Sequence, residues 1–350
     1  MLRAYWTTVA GAVALAVGGC TPPAPVGGYV SHGRVLTAAE STYGAWISRD
    51  CGFSRSATDG GSGQQSSFWV FCDTTMNSQG FNTRGSAAEA TAFTAGALPN
   101  LGDHPAPGAA FLPDPGGVCW DGTRPALWTQ GLSPAHDGTF RVYYSSECSG
   151  ERTLSWGSVL WNPFTKAFSD NQRTVFTYDP ATTDLAPEKE LNTPIERGSY
   201  TYFSARLSAN RRGVTIARVP TASVNNPTQY QWFTGTANGQ PTWGSVAKAQ
   251  AAPTLASGFT TMDYFPSFNT YVAIVQSGGF GHPDNGTTEV KIYESQTPEN
   301  PASWRLRHTV KTPGECLEGK WCYAFIGHPE LSTNTQLMIS HYNHDDRAAG

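Results

Sequence analysis

Short apolar runs rich in aromatic and β-branched residues recur along the chain, and no long stretch has the 3.6-residue apolar spacing of a helix. The clearest example comprises two arms, Ser48–Ser54 and Phe68–Thr74, separated by the glycine-rich segment Asp59–Gly63. Aromatic and β-branched residues suit a half-buried pleated surface, and glycine permits the chain to reverse. The pattern predicts a β-hairpin.

Two acids and two cysteines fall at one end of this predicted hairpin. A disulfide needs Cα atoms roughly 4.4–6.8 Å apart, which directly opposite residues of an antiparallel pair provide. If Cys51 bonds Cys72, the register places Asp50 opposite Asp73 on the other face. Like charges in that position are expected to share a proton, a cation or a sugar hydroxyl, or to splay apart into water.

Four further segments repeat the order of a polar residue, a short strand, a turn and a returning apolar strand. The returning strands are Phe140–Tyr144, Val214–Val219, Tyr271–Val275 and Gln336–Ser340. A propeller blade takes ~40–45 residues before insertions, so five such units fit the length of the chain. We predict an all-β fold, a five-bladed β-propeller, whose polar strand starts converge on a central channel. A β-sandwich with long loops is the structural alternative.

Two segments interrupt this pattern. Residues 86–110 are rich in alanine, glycine and proline, and residues 178–197 are charged. We expect both to be loops between strands, the first with one helical turn near residues 87–95.

Composition narrows the class of protein. The 350 residues are 39% hydrophobic, 12% aromatic and only 14% charged, so the chain can bury a large core. The formal net charge of −4 provides no basic patch or stripe, and we therefore expect no nucleic-acid partner.

The N-terminus predicts export. Arg3 precedes a short apolar run, and the small residues of Val17–Cys20 resemble a bacterial lipoprotein lipobox. We predict a signal peptide over residues 1–19, a lipidated Cys20 with a Pro/Gly tether over residues 20–33, and one propeller domain over residues 34–350. The protein is then extracytoplasmic and held at the cell membrane by its lipid. An ordinary secretory signal is the alternative, and it also means export.

The cysteine count agrees with export. Seven cysteines less Cys20 leave six, an even number that predicts three disulfides, although six cysteines allow 15 pairings. Local hairpin logic favours Cys51 with Cys72, Cys119 with Cys148, and Cys316 with Cys322. A zinc site is the competing interpretation, and no C-x2-C pair or neighbouring histidine supports it.

Several motifs resemble a family of secreted actinobacterial proteins. They are Arg49–Ser54, Trp69–Thr74, His328–Ser332 and Ile339–Tyr342. That family, long described only as a domain of unknown function, is similar to the five-bladed β-propeller glycoside hydrolases, and some members are endo-D-arabinanases that cut mycobacterial arabinan. The resemblance covers most of residues 44–346 and implies a propeller that hydrolyses a cell-wall polysaccharide. Cys51 and Cys72 stand where related sequences have glycine.

Glycoside hydrolysis generally needs two carboxyl groups beside the scissile bond. Because the first and last blades of a closed ring are neighbours, Glu330 and Asp50 are expected to flank one cleft. We predict Asp50 as base or nucleophile and Glu330 as general acid, with Asp73 ordering its partner or raising the partner's pKa.

Other side chains are predicted to bind the substrate. Arg206 would donate to sugar hydroxyls or an anionic group, Asp263 would face the channel, and His328 would orient Glu330. The alternatives are a salt bridge for Arg206, a turn for Asp263 and strand packing for His328.

Three aromatic residues offer flat faces to sugar rings, although core packing is the alternative for each. They are Trp120, Tyr264 and Trp321. We predict no cofactor and no bound metal in the site. No P-loop, Rossmann fingerprint or Gly-x-Ser-x-Gly elbow occurs, so a nucleotide-binding protein and a serine hydrolase have no support. A structural cation in the channel, or at the polar residues 341–346, stays an open alternative.

Two functions therefore compete. One is an exported, lipid-anchored hydrolase of a cell-wall polysaccharide, and the other is a noncatalytic surface propeller that binds glycan or protein. Fold alone does not decide between them. Carboxyl groups ~5–9.5 Å apart in an open cleft would favour the hydrolase, and burial of these acids would favour the binding module.

Overall fold

The protein is almost entirely β-structure. The computed structural model describes residues 7–10, 47–76, 80–82, 84–104, 110–114, 116–135, 138–148, 152–169, 172–178, 191–207, 213–255, 260–276, 289–311 and 322–343. Within these ranges the helices are single 3-10 turns, such as Thr221–Ser223 and Pro329–Leu331. None of the helices described is long and apolar enough to cross a membrane. The predicted all-β class is confirmed.

The strands form five antiparallel sheets. After a short N-terminal strand, β1 (Thr7–Ala10), the first sheet contains β2 (Ile47–Thr58), β3 (Gln65–Met76), β4 (Gly80–Asn82), β5 (Ser86–Ala90) and β6 (Gly102–His104). The second contains β7 (Ala126–Pro134), β8 (Phe140–Cys148), β9 (Arg152–Asn162), β10 (Ala167–Phe168) and β11 (Arg173–Thr177). The third contains β12 (Leu191–Arg197), β13 (Tyr200–Arg206), β14 (Val214–Pro220), β15 (Gln231–Ala237) and β16 (Gln240–Gly244).

The fourth sheet contains β17 (Thr260–Phe265), β18 (Thr270–Gln276), β19 (Glu289–Ser295) and β20 (Arg305–Lys311). The last contains β21 (Cys322–Gly327) and β22 (Gln336–Asn343), and β1 pairs with the outer edge of β22. This last sheet has three strands, whereas the other four have four or five each.

The fold is a β-propeller with four full blades, so the prediction of five blades is corrected. Along the described chain only β21 and β22 follow the fourth blade, which is too few for another full blade, and the third strand comes from the N-terminus. That strand lies inside the predicted signal peptide. The three-stranded sheet nevertheless packs between the first and fourth blades, since β21 contacts both β2 and β17.

A narrow central channel runs between the first strands of the five sheets. Side chains of β2, β7, β12, β17 and β21 all line it. The strands approach so closely that a Cβ at Gly131, whose φ is +128°, would lie 2.6 Å from the Pro194 ring. Interdigitated side chains pack between neighbouring blades, including the fully buried Trp69, Trp161 and Trp304. This packing fixes the heights of the channel strands relative to one another.

The predicted hairpin is present as β2 and β3, but its register is irregular. Arg49 pairs with Thr74 and Cys51 pairs with Phe71, so a bulge interrupts the ladder between them. Cys51 has φ +64° and Gly52 has φ +117°, conformations that a regular strand does not contain. The expectation that Cys51 lies directly opposite Cys72 is therefore wrong, although their Cα atoms are 5.5 Å apart and the disulfide forms.

Two segments predicted as loops contain strands. Residues 86–110 contribute β5 and β6 to the first blade, and residues 178–197 contain β12. The stretch Leu191–Ile195 is buried despite its polar residues and proline, because it is the channel strand of the third blade. Consequently the strand ending at Arg206 is the second of its blade, not the first as predicted.

Candidate active site

The channel has two chemically different ends, which we call upper and lower. At the upper end, β2, β7 and β21 begin, and side chains near their starts lie in one hydrogen-bonded network. At the lower end, the later part of β2 meets Asp263 of β17 and the turn after β21. The channel contains a cavity of about 10 Å³ whose lining includes Arg55 and Asp263, room for at most one water molecule. A sugar chain therefore does not pass through it.

Asp50 and Asp73 meet at the upper end, on adjacent strands. The backbone N–H of Asp73 donates to Oδ1 of Asp50 at 2.6 Å, and the Tyr323 hydroxyl donates to Oδ2 of Asp50 at 3.0 Å. Nε1 of Trp128 donates to Oδ1 of Asp73 at 3.0 Å. Both acids are partly exposed. Because a backbone N–H of Asp73 touches the Asp50 carboxylate, the two carboxyl groups lie within the ~9.5 Å that glycosidase pairs span.

The bulge in β2 positions Asp50. Cys51 is joined to Cys72, so a covalent link lies next to each acid in the chain. On the other side, Arg49 is only 2% exposed, pairs with the buried Asp103 and lies 4.8 Å above the Phe71 ring. The arginine of the Arg–Asp motif is thus a structural residue that holds β2 against its own blade.

The Asp73 backbone N–H and the Tyr323 hydroxyl, which both donate to the Asp50 carboxylate, are neutral groups. An ionised carboxylate only accepts hydrogen bonds, and both oxygens of Asp50 do so. Burial, followed by the nearby Asp50 charge, raises the pKa of Tyr323 well above its ordinary value, so its hydroxyl keeps the proton it donates. This arrangement suits a carboxylate that acts as a base or nucleophile.

Sequence reasoning missed Tyr323 and Trp128. Trp128 lies within β7, whose sequence is that of an ordinary alternating strand. Tyr323 contacts Asp50 although 273 positions of sequence separate them. No local motif marks either residue, since their roles depend on how blades are arranged around the channel.

The lower end is built from an ion pair. Arg55 pairs with Asp263, and their side chains are 17% and 16% exposed. Burial raises the pKa of Asp263 to about 7, because desolvation and the charge of Glu330 outweigh Arg55 and the backbone N–H of Tyr264. Asp263 lines the narrow part of the channel, so the structure places it away from Asp50.

Glu330 also lies at the lower end. Its Oε1 accepts hydrogen bonds from Ser54 at 2.5 Å and Ser67 at 2.8 Å. Ser54 is four residues beyond Asp50 on β2, on the far side of the bulge. Glu330 therefore lies beside the first blade, as ring closure predicts, and Ser54 and Ser67 hold it there. Its predicted role as general acid stays a prediction without a supporting contact.

His328 is a core residue, which corrects its predicted role in substrate binding. The side chain is fully buried, its ring nitrogens lie 2.6 Å from Ser54 Oγ and 2.8 Å from Ser340 Oγ, and the ring stacks on Trp69. Burial, helped by Arg55, lowers the pKa of His328 well below its ordinary value, so the ring is neutral. It shares Ser54 with Glu330 and so contributes to holding that acid.

The remaining predicted substrate contacts are scattered. Arg206 is exposed at the upper end of β13, and Trp120 is 49% exposed in the loop before β7. Tyr264 is 38% exposed but lies at the lower end, where its hydroxyl donates to Asn269 at 2.8 Å. Trp321 lies outside the described residues.

Two of the three predicted disulfides lie within the described residues and are present. Cys51–Cys72 and Cys119–Cys148 are present, whereas Cys322 is disulfide-bonded and its predicted partner Cys316, like Cys20, lies outside the described residues. Asp50, Cys51 and Cys72 lie close enough together to suggest a metal site, but they do not form one, because both sulfurs are in the disulfide. Residues 344–346 of the polar tail are likewise not described.

Comparisons with known proteins support the fold. Residues 192–349 match a family described as a domain of unknown function (DUF5005), a region that starts after the hairpin bearing Asp50. No curated protein matches the chain. A Bacteroides ovatus ATCC 8483 protein described as a candidate hydrolase is 16% identical with a TM-score of 0.53, and the alignment covers 84% of this chain and 79% of that one.

Two arabinanase structures are also similar at lower scores. The Bacillus subtilis arabinanase Arb43A is 9% identical with a TM-score of 0.46, over 85% of this chain and 96% of that one. The GH43 endo-arabinanase from Bacillus licheniformis is 11% identical with a TM-score of 0.44, over the same shares of 85% and 96%. At these identities the comparisons carry no argument about the reaction.

Proposed function

We propose that the protein is an exported glycoside hydrolase that cleaves a cell-wall polysaccharide, with arabinan as the first substrate to test. The observation that carries this proposal is the contact between Asp50 and Asp73 at the upper end of the channel, where both acids are partly exposed. The choice of arabinan rests on the sequence resemblance of the motifs around these two acids.

In this proposal the two acids divide the chemistry. Asp50, whose oxygens accept from Tyr323 and from a backbone N–H, acts as base or nucleophile. Asp73 takes the part of general acid and protonates the leaving glycosidic oxygen, a role that the sequence had suggested for Glu330. In the direct route, water attacks the anomeric carbon as the glycosidic bond breaks and gives its proton to Asp50; in the covalent route, Asp50 attacks first, and water then hydrolyses the glycosyl–Asp50 ester and gives its proton to Asp73.

Membrane attachment is a separate part of the proposal. Cys20 would carry the lipid, and the Pro/Gly segment after it would tether the propeller to the membrane surface. A Cys20→Ser variant is expected to leave the membrane fraction and appear in the medium, while its circular dichroism stays unchanged. Retention of that variant in the membrane fraction would remove the lipid anchor from the proposal.

The enzyme test uses this unlipidated Cys20→Ser protein. It is incubated with mycobacterial arabinogalactan and with plant arabinans, and the released oligosaccharides are separated by chromatography. We expect release that falls about 10²–10⁴-fold in Asp50→Asn and in Asp73→Asn. Glu330→Gln is the matched control, because the same loss of charge at the lower end should leave product release within a few-fold of the parent.

The alternative is the noncatalytic module. Binding of the polysaccharide without any release by the parent protein would favour it, since the acids would then only accept hydrogen bonds from hydroxyls. If Glu330→Gln abolished release and Asp73→Asn did not, the assignment of the two acids would be overturned while the hydrolase survived.

A further inference from the structure

The two acids of the upper end are held from opposite sides of the first blade. Tyr323, which donates to Asp50, lies on β21 in the last sheet. Trp128, whose Nε1 donates to Oδ1 of Asp73 at 3.0 Å, lies on β7 in the second blade. β2 contacts both of these strands, and β3, which carries Asp73, contacts β7. Each acid is therefore oriented by a different neighbouring strand.

The contact between Trp128 and Asp73 belongs to a larger interface between the first two blades. Cys72 precedes Asp73 in the chain, and its Sγ lies 3.3 Å from the carbonyl oxygen of Thr129, the residue after Trp128. Cys72 is 3% exposed, Thr129 is fully buried, and the Cys51–Cys72 disulfide joins this part of β3 to β2. The backbone on both sides of the contact is therefore held in place. The Trp128 side chain itself is partly exposed, like the two acids.

The chemistry of the indole group makes this contact directional. An indole N–H donates a hydrogen bond but cannot accept one, so Trp128 cannot take the proton of Asp73. Since Oδ1 of Asp73 accepts from the indole, the proton of the acid is favoured on Oδ2. Once Asp73 has given up that proton, its carboxyl group is negative, and the hydrogen bond from Trp128 becomes charge-assisted and stronger. An interaction that strengthens as the reaction proceeds lowers the barrier.

We propose that Trp128 is a positioning residue for the general acid: its indole N–H holds Oδ1 of Asp73, so that Oδ2 carries the proton that the leaving sugar receives. The inference rests on the function proposed above and adds the residue that orients the acid and stabilises the charge left on it. The proton passes from Oδ2 to the glycosidic oxygen as the bond between that oxygen and the anomeric carbon breaks. Trp128 acts on this step through Asp73.

The groups that face Asp73 determine how this role appears in the pH dependence. From β2, the Asp50 carboxylate accepts the N–H of Asp73. From β21, Tyr323 keeps its proton, because burial and then the charges of the two acids raise its pKa. From β7 comes the uncharged Trp128. A donor to a carboxylate favours the ionised form, so removal of the indole N–H should raise the pKa of Asp73. An acid that must be protonated then stays active to higher pH.

Kinetics of Trp128→Phe provide the first readout, because phenylalanine keeps an aromatic ring and lacks the N–H. In the Cys20→Ser protein, kcat for release of oligosaccharides from arabinogalactan or arabinan should fall about 10-fold with KM unchanged. The alkaline side of the pH–rate profile should move to higher pH, whereas Tyr323→Phe should move the acid side. Trp304→Phe is the matched control, since it removes an indole N–H bond of 3.2 Å to the Pro298 carbonyl in the fourth blade. It should leave both sides of the profile in place.

The indole N–H itself provides a second readout that does not depend on cleavage. In nitrogen-15-labelled protein, the Trp128 indole resonance is identified by its absence from the spectrum of Trp128→Phe. Its proton chemical shift should change with pH as Asp73 titrates, and Asp73→Asn should remove most of that change. The same pH-dependent change in parent and Asp73→Asn proteins would show that the indole does not hold the acid, and it would overturn the inference.

The outcomes separate this inference from the proposed function. If the parent protein releases oligosaccharides and Trp128→Phe keeps the parent rate and profile, the positioning role is overturned and the hydrolase stays in place. An equal fall in kcat for Trp128→Phe and Trp304→Phe, with both profiles unchanged, would also overturn the role, since general loosening would then explain the loss. If the parent releases nothing, the proposed function fails and the role of Trp128 fails with it, even where the indole follows the titration of Asp73.

Discussion

One strand, β2, contributes to both ends of the channel, and the acids at the two ends have different hydrogen-bond partners. At the upper end, Asp50 is held by the Tyr323 hydroxyl and a backbone N–H. At the lower end, Asp263 pairs with Arg55, and Arg55 lies on β2 only five residues beyond Asp50. The upper acids, Asp50 and Asp73, are partly exposed, whereas the lower acid, Asp263, lines a cavity of about 10 Å³.

The difference separates a reactive arrangement from a structural one. Neutral donors stabilise a carboxylate without cancelling its charge, so the group stays able to take a proton or attack a carbon. At the lower end, burial raises the pKa of Asp263 to about 7, so below that pH its carboxyl is protonated beside Arg55 and offers no negative charge to a substrate. Four carboxyl side chains near one channel therefore need not serve one reaction.

The largest expected effect comes from cutting the covalent link beside the upper acids. Replacing Cys51 and Cys72 by serine opens a bridge between residues separated by 21 positions, which should lower the free energy of unfolding by about 3 kcal/mol. The rate of polysaccharide cleavage should fall far more than the fraction of folded protein does, because the bulge that aims Asp50 is no longer fixed. Urea denaturation and product chromatography measure the two effects.

The second disulfide provides the control for this prediction. Cys119 and Cys148 are separated by 29 positions, so their double serine variant should lose a similar free energy of unfolding. It should nevertheless keep most of its rate of polysaccharide cleavage, because neither of its cysteines is next to Asp50 or Asp73 in the chain. Equal losses of that rate in both double variants would show that the upper acids are not positioned by their neighbouring bridge.

The upper pair could be predicted because its signal is local. Acids and cysteines on two arms of one hairpin, joined by a glycine-rich turn, bring Asp50 and Asp73 together in any register close to the true one. The bulge could not be read from the sequence, since no local motif marks the positive φ of Cys51 and Gly52.

The lower end shows where sequence reasoning stops. Ring closure correctly places Glu330 beside the first blade. It predicts which blade is adjacent, but it does not predict the position of Glu330 along the channel axis. The height follows from β21, after which the 3-10 turn Pro329–Leu331 delivers Glu330 to Ser54. The channel strand Leu191–Arg197 was missed for a related reason. Its asparagine, threonine and proline are typical of loops, and only its central position makes it buried.

The next effect tests whether the lower acid is structural. The Asp263 carboxyl has an ordinary pKa of 3.8, and burial raises the pKa to about 7 in the folded protein. Between these pH values the folded state holds a proton that the unfolded chain has lost. The free energy of unfolding should therefore fall as pH rises from about 4 to about 7, by up to about 1.4 kcal/mol per pH unit. Asp263→Asn should remove this slope.

Urea denaturation at several pH values measures that slope. Asp59→Asn is a suitable control, because Asp59 lies in the exposed β2–β3 turn, where hydrogen bonds from Ser62 and Gly61 lower its pKa. It should leave the slope between pH 4 and pH 7 intact. A slope that survived in Asp263→Asn would mean that another group carries it, and the contrast between the two ends would lose its electrostatic basis.

The smallest expected effect addresses the donor to Asp50. Tyr323→Phe removes one hydrogen bond to the ionised carboxylate and keeps the ring, which packs 4.9 Å from Tyr342. A hydrogen bond to a charged group contributes about 1.5–3 kcal/mol, so the rate of cleavage should fall roughly 10- to 100-fold. Without this donor the ionised form of Asp50 is less favoured, and the acid side of the pH–rate profile should move to higher pH.

Tyr342→Phe separates this effect from general loosening of the last sheet. The Tyr342 hydroxyl lies 3.4 Å from Ser48 Oγ, and its ring packs against the Tyr323 ring. Its loss should change stability slightly and leave the pH–rate profile in place. If both variants kept the parent profile, Asp50 would not be the group that ionises during the reaction, and the upper end would have to be regarded as a binding surface. A shift in Tyr323→Phe alone would tie the reaction to ionisation of the Asp50 carboxylate.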